Sequence, residues 1–188
     1  STERFPGNWV TPGDVISLYG RVDELFGTSV LRVPSRNRIT FIENGAPLPE
    51  PVNLQSVDLS DYGDAAHPIE RYEGMYVTVT DAFVTAPTNR FDEFNITLDD
   101  SRSFREPGVE LDRTPEFAGL GLPEWDLNPE VIEVDMGETA VPVQQVTTGS
   151  RATAIGAISY NFNDYQIFPS EVVVDLADFD GRAVRARE

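Results

Sequence analysis

Short apolar runs divided by turn residues fill the chain, and their spacing is that of strands. Val15-Ile16-Ser17-Leu18-Tyr19-Gly20-Arg21-Val22 is apolar and β-branched and follows the turn Pro12-Gly13-Asp14. It predicts a first strand in which Gly20 marks a bulge or sharp bend. Ser29 to Val33 and Arg38 to Glu43 predict a second and a third, with Asn44-Gly45 as the turn that ends them. The stretch from Ala46 to Val52 holds Pro47, Pro49 and Pro51, and suits an extended edge or linker better than a central strand. Met75 to Val84 alternates, with Met75, Val77 and Val79 facing one way and Tyr76, Thr78 and Thr80 the other. Phe94, Ile96 and Leu98 repeat that alternation against Asn95, Thr97 and Asp99. Further strands are expected at Val131–Met136 and Val141–Val146. Ala152–Phe162 and Gln166–Phe168 form a hairpin around Asn163-Asp164, and Glu171–Leu176 closes the series. Roughly nine short strands divided by Gly, Pro and Asp turns imply an all-β barrel or sandwich.

Two stretches break the pattern. Residues 56–70 are polar and carry Asp58, Asp61, Asp64 and Glu70, while residues 101–130 are interrupted by Pro107, Pro115, Pro123 and Pro129. The second is a long irregular insertion, a feature uncommon inside a compact domain; Phe104, Phe117 and Trp125 would pin it to the strands. A helix or two would fit within 56–72 or 115–130. The organisation expected is an extended N-terminal arm (1–13), one β domain (14–176, with its insertion at 101–130) and a C-terminal tail (177–188).

Composition narrows the chemistry. The 188 residues hold 14 basic side chains, every one an Arg, against 32 acids, a net charge of −18. Residues 1–42 sum to +1 and the remainder to −19, so the acidity belongs to the later part. Cysteine is absent and His67 is the single histidine. Disulfide scaffolds, thiolate metal sites and Cys nucleophiles are therefore excluded, and a His-rich zinc site or Ser-His-Asp triad lacks material. No apolar run approaches the roughly 20 residues that span a bilayer, so no membrane span is expected. Strong acidity fits a surface kept soluble by carboxylates, as in high salt or outside a cell. It also opposes whole-surface attraction to nucleic acid, which rests on Lys and Arg neutralising phosphates.

Three stretches, in order, resemble one family. They are Pro12–Val22 followed by Gly45–Val52; Glu70-Arg71-Tyr72-Glu73-Gly74-Met75-Tyr76-Val77; and Ile155–Pro169, which reads Ile-Gly-Ala-Ile-Ser-Tyr-Asn-Phe-Asn-Asp-Tyr-Gln-Ile-Phe-Pro. Together they are similar to the OB-fold-like accessory β region of large secreted bacterial nucleases of the endonuclease/exonuclease/phosphatase class, over about residues 12–100 and 131–170. Nothing after Pro169 resembles the catalytic domain of those proteins. The resemblance thus implies an OB-like barrel elaborated with extra strands, and a secreted or cell-surface location, without the nuclease activity.

Candidate sites follow from both lines. An OB groove binds nucleic acid by stacking bases on aromatic rings beside basic side chains, and Tyr19, Arg32, Arg36, Arg38 and Phe41 are the set available. Calcium takes several oxygen ligands, which Asp58, Asp61 and Asp64, Asp99 and Asp100, or Asp178 and Asp180 could supply; none matches the full calcium-loop pattern. Carboxylate-pair catalysis requires two acids with pKa values driven apart, and among 32 acids no pair stands out. The expected role is a non-catalytic interaction module whose partner is a neighbouring domain or subunit of an extracellular assembly. The alternatives are a structural subunit of such an assembly or filament, and a weak nucleic-acid-binding domain.

Overall fold

The computed structural model describes residues 4–5, 8–57, 69–99, 115–117, 119–122, 130–162 and 164–176. Its strands are β1 (Arg4–Phe5), β2 (Asn8–Trp9), β3 (Val15–Leu18), β4 (Arg21–Leu25), β5 (Thr28–Arg32), β6 (Ile39–Glu43), β7 (Val52–Asn53), β8 (Tyr76–Ala86), β9 (Glu93–Thr97), β10 (Val131–Asp135), β11 (Arg151–Asn161) and β12 (Asp164–Asp175). Among the described residues the remaining regular elements are single 3-10 turns, including Leu54–Ser56, Glu70–Tyr72 and Pro115–Phe117. The chain is all-β; the described parts of 56–72 and 115–130 hold only these turns, and the rest of both stretches lies outside the described residues.

Strands β8 to β12 close into a barrel. The sheet runs β11-β12-β10-β9-β8, and β11 pairs back onto β8. All of these contacts are antiparallel except β10 with β12, which is parallel. A five-stranded barrel closed in this order is the OB arrangement. β7 adds a sixth strand parallel to β8, through Val52↔Val77 and Asn53↔Thr78, as the Pro-rich edge before it suggests.

The strand alternation builds the core, with two phase slips. On β8 the buried residues are Val77 and Val79, then Ala82 and Val84. The switch from odd to even positions occurs where β8 bulges against β11 and Asp81 takes φ of 51°. β12 does the same: the ladder shifts between Ile155 and Gly156, Pro169 sits beside the shift, and one strand continues from Asp164 to Asp175. Pro169, paired with Gly156, sits directly beside the bulge, one of the places where a strand tolerates proline. Gly156 is obligatory here, since a Cβ at that position would lie 2.2 Å from the Phe168 carbonyl oxygen. The interior is completed by Leu54, Ile69, Phe94, Ile96, Ile132, Val134, Met136, Ile158 and Ile167, all essentially inaccessible to solvent.

The N-terminal region is built differently. The predicted strand Val15–Val22 is two strands, broken at Tyr19-Gly20, with β3 pairing β6 and β4 pairing β5. Gly20 allows the break, because a Cβ there would stand 2.7 Å from the Arg32 carbonyl oxygen. These ladders are two strands wide, and among residues 10–53 no side chain is buried. The β4–β5 hairpin meets the barrel at its tip, where the Gly27 backbone passes the Tyr160 ring and Thr28 Oγ1 donates to the Tyr160 carbonyl. A second correction concerns Val141–Val146, which joins no ladder. It is held instead by Thr88, whose Oγ1 donates to the Gln144 carbonyl (2.9 Å) and accepts from the Val146 N–H (2.8 Å), while Val146 is buried.

Candidate functional site

An open cleft of about 530 Å³ lies at one end of the barrel. Its walls are the 89–93 turn, the ends of β9 and β10, and the hairpin joining β11 to β12. Loops between the first two strands and between the last two, with the face beside them, are where OB barrels receive ligands. Asn89 shapes the first wall: its Oδ1 accepts from the Phe91 N–H (2.8 Å) and the Glu93 N–H (3.1 Å), and its Nδ2 donates to Glu93 (2.7 Å). That turn presents Phe91, 57% exposed, and places Asp92 at φ of 67°. Opposite, the two-residue turn between Asn161 and Asp164 lifts Phe162 into solvent, 87% exposed and at φ of 50°.

The floor is set by strand register. Glu133 stands opposite Gln166 across the parallel β10–β12 pair, and Asp135 opposite Glu93 across β10–β9. With Asp92, Glu138 and Asp164 these give six carboxyl groups around one cleft, and no basic side chain lines it. Gln166, only 2% exposed, donates through Nε2 to Glu133, while its Oε1 has no hydrogen-bond partner. A buried acceptor left open in this way costs free energy until a donor meets it.

Electrostatics follow from this crowding. Glu133 is half-buried, and that desolvation, with the neighbouring Glu93, Asp164 and Asp135 charges, pushes its carboxyl up to about 7 against the pull of Gln166. Asp164 is at the rim; loss of water on its inward side raises its carboxyl, and the Tyr165 N–H bonded to it at 2.9 Å pulls the other way. Such a site holds negative charge at a cost that a cation or hydrogen-bond donor would relieve. Among the described residues no three His, Cys, Asp or Glu groups converge in a way that could hold a metal ion.

The residues proposed for nucleic acid lie elsewhere, on the N-terminal ladders. Tyr19 and Arg38 come together, with the guanidinium 5.0 Å from the ring centroid. Arg32 is tied to Asp23 at 2.8 Å, as is Arg21, and these guanidiniums hold the Asp23 carboxyl below its usual range, Arg21 most of all. Arg36 lies on the exposed turn before β6, and Phe41 is on β6 opposite Ile16. None of the five lines the cleft. Of the calcium candidates, Asp99 follows β9 and its backbone exchanges hydrogen bonds with Thr97 Oγ1. Asp58, Asp61, Asp64, Asp100, Asp178 and Asp180 lie outside the described residues.

The cleft itself was missed. Its acids occupy the polar phase of strands, which in sequence looks like a solvated surface, and only long-range register gathers them. The one local signal was Phe162, an aromatic at a hairpin apex where Asn or Gly is the usual choice.

Two of the three stretches that carry the family resemblance, around Glu70–Val77 and Ile155–Pro169, are clasped together. The Tyr165 hydroxyl donates to Glu70, and burial first, then this bond, raises its phenol pKa. Glu73 accepts from the Tyr160 N–H (3.1 Å) and the Ser29 N–H (2.9 Å). Gly74, at φ of 76°, donates its N–H to the Ile158 carbonyl at 2.8 Å. These residues lock the 70–75 segment to β11 and β12. A family model, Domain of unknown function (DUF8508), matches residues 48–178. The chain belongs to that family. No curated protein and no solved structure matches it. The DUF8508 region takes in β7, the whole barrel and the cleft, and leaves the β3–β6 ladders outside it.

Proposed function

We propose that the chain is a non-catalytic interaction module of a secreted or cell-surface protein, and that it meets its partner at the barrel cleft. The observation that carries this reading is the cleft's position and lining: it opens where OB barrels bind, between two exposed phenylalanines, over a buried amide oxygen with no partner. The lining has no Ser, Thr, Cys, His, Lys or Arg. The secreted or surface location is supported by the resemblance to the accessory region of extracellular nucleases and by the acidic composition.

A raised carboxyl in a cleft also suits acid catalysis, which pairs an acid of raised pKa with a partner kept ionised. Here Glu133 and Asp164 are both pushed upward, and Glu133 is engaged by Gln166. That pattern supports binding over an acid–base pair. Six carboxyl groups likewise repel phosphates, so nucleic acid is disfavoured at this face.

One observation favours the structural-subunit reading. The β4–β5 hairpin exposes Val22, Leu25, Phe26 and Leu31, an apolar surface suited to a neighbouring subunit. Sedimentation at several salt concentrations, with labelled single-stranded DNA and RNA as ligands, separates the readings. The module reading predicts a monomer that binds neither nucleic acid. Large ordered oligomers would replace it with the structural reading, and salt-sensitive nucleic-acid binding would replace it with the third.

A further inference from the structure

We propose that the cleft receives the ammonium or guanidinium group of a Lys or Arg side chain on a partner polypeptide. The inference rests on the reading of the chain as an interaction module and names the chemistry of its partner.

Three independent features point to such a group. Gln166 Oε1 is buried on the cleft floor without a hydrogen-bond partner, and an N–H cation brings the missing donor. Around it stand Glu133, Asp164 and Glu93, with no cation among the lining residues to neutralise them. At the rim, Phe162 occupies a left-handed turn position that Gly or Asn adopts freely and that is unfavourable for a bulky side chain. Its ring is 87% exposed, so it gains nothing from the core in return. A ring held out beside a carboxylate-lined cleft is suited to cover the methylene stem of Lys or Arg and to face its charge. Phe91, on the opposite wall, already shows this affinity, with the Arg90 guanidinium 4.6 Å over its ring.

The size of the site selects among cations. The cleft is far roomier than a bare metal ion needs, and among the described residues no three acids converge for one. Two aromatic walls add apolar contact that a side chain's stem uses and a hydrated ion does not. A polypeptide source is favoured over a free polyamine because guanidinium stacks on rings as well as pairing with carboxylates.

Protonation tunes the site. The groups facing Glu133 are Glu93 from β9, Asp135 from β10 itself, and Asp164 and Gln166 from β12. Every charged one is an acid, so an arriving cation favours the ionised form of Glu133, and affinity rises as pH increases through about 7.

The test is a nuclear magnetic resonance titration of the isotope-labelled chain at low ionic strength. The probes are tri-arginine, tri-citrulline (its uncharged isostere), spermidine and calcium chloride. Tri-arginine is expected to move the signals of Phe91, Asp92, Phe162 and the Gln166 side-chain amide, and tri-citrulline to leave them in place. Binding should weaken about threefold or more from pH 8 to pH 5.5. The Phe162→Asn and Glu133→Gln variants should each bind roughly three- to tenfold more weakly while keeping a folded spectrum. Equal binding of tri-citrulline would overturn the proposal. Spermidine binding more tightly than tri-arginine would assign the site to free amines instead, and calcium moving the same signals at lower concentration would make it a metal site. Silence from all four probes in a folded monomer would overturn this inference and leave the module reading intact. Ordered oligomers in the same sample would instead strike at that reading itself.

Discussion

The barrel and the N-terminal ladders are made from the same kinds of residue and come out opposite. Both are strand-rich, with β-branched and aromatic side chains on short alternating segments. In the barrel each of β8 to β12 has at least two neighbours, and closure gives one dry face that buries Phe94, Ile96, Ile132, Ile158 and Ile167 completely. In residues 10–53 each strand has one neighbour, and Val22, Phe26, Leu31, Phe41 and Ile42 remain open to water. What separates them is the number of partners a strand finds, since two-stranded ladders are marginal alone. Stability therefore resides in the barrel, which the described part of the ladders meets where Gly27, Thr28 and Ser29 contact Tyr160 and Glu73.

The sharpest way to break this contrast is a pair of truncations. Phe94→Ala should cost about 3–5 kcal/mol in denaturant unfolding, whereas Phe41→Ala on β6 should stay within about 0.5 kcal/mol. Comparable losses at both sites would mean the ladders share the core's cooperativity. Next comes Gly156→Ala, which drives a methyl into the Phe168 carbonyl and should cost roughly 1–3 kcal/mol by the same measurement. Tyr165→Phe leaves Glu70 without its donor and should cost about 1–2 kcal/mol.

A smaller effect concerns pH. The raised carboxyl of Glu133 means that the folded chain holds a proton between about pH 4.5 and 7 that the unfolded chain has released. Its contribution is present below the unfolded value and is lost as pH rises toward 7. Glu133→Gln should therefore gain stability over the parent chain as pH rises from 5 to 8, by on the order of 1 kcal/mol with solvent screening included. Melting curves at both pH values check this; a constant difference between the two proteins would remove the assignment.

The smallest effect compares the two hairpin tips. Phe26 and Phe162 both sit at positive φ and are 94% and 87% exposed. Replacing either by Asn should leave stability unchanged or raise it by up to about 1 kcal/mol. On the cation account, only the Phe162 change should weaken tri-arginine binding.

How much of this was legible in the sequence depended on distance along the chain. Alternation at Val77 and Val79, and at Phe94 and Ile96, marked core strands correctly because a strand's two faces are a local property. The all-β class and the OB-like barrel followed from such segments and the family resemblance. The slips at Asp81 and beside Pro169 were not legible, since a bulge is decided by the partner strand. Val141–Val146 had the composition of a strand yet is held by Thr88 side-chain bonds, which no local pattern announces. Glu133 and Gln166 lie 33 residues apart, and no local pattern says that a parallel pairing will bring them together. The Arg-and-Tyr set at 19–41 was conspicuous in composition, yet it lies on the ladders and away from the cleft.

Hydrogen–deuterium exchange resolved along the chain tests the central claim, that cooperative stability belongs to the closed barrel alone. Amides in β8 to β12 should exchange only through global unfolding, with protection matching the denaturant free energy, while those of β3 to β6 exchange through low-energy local opening. Equal protection in both regions would contradict the account.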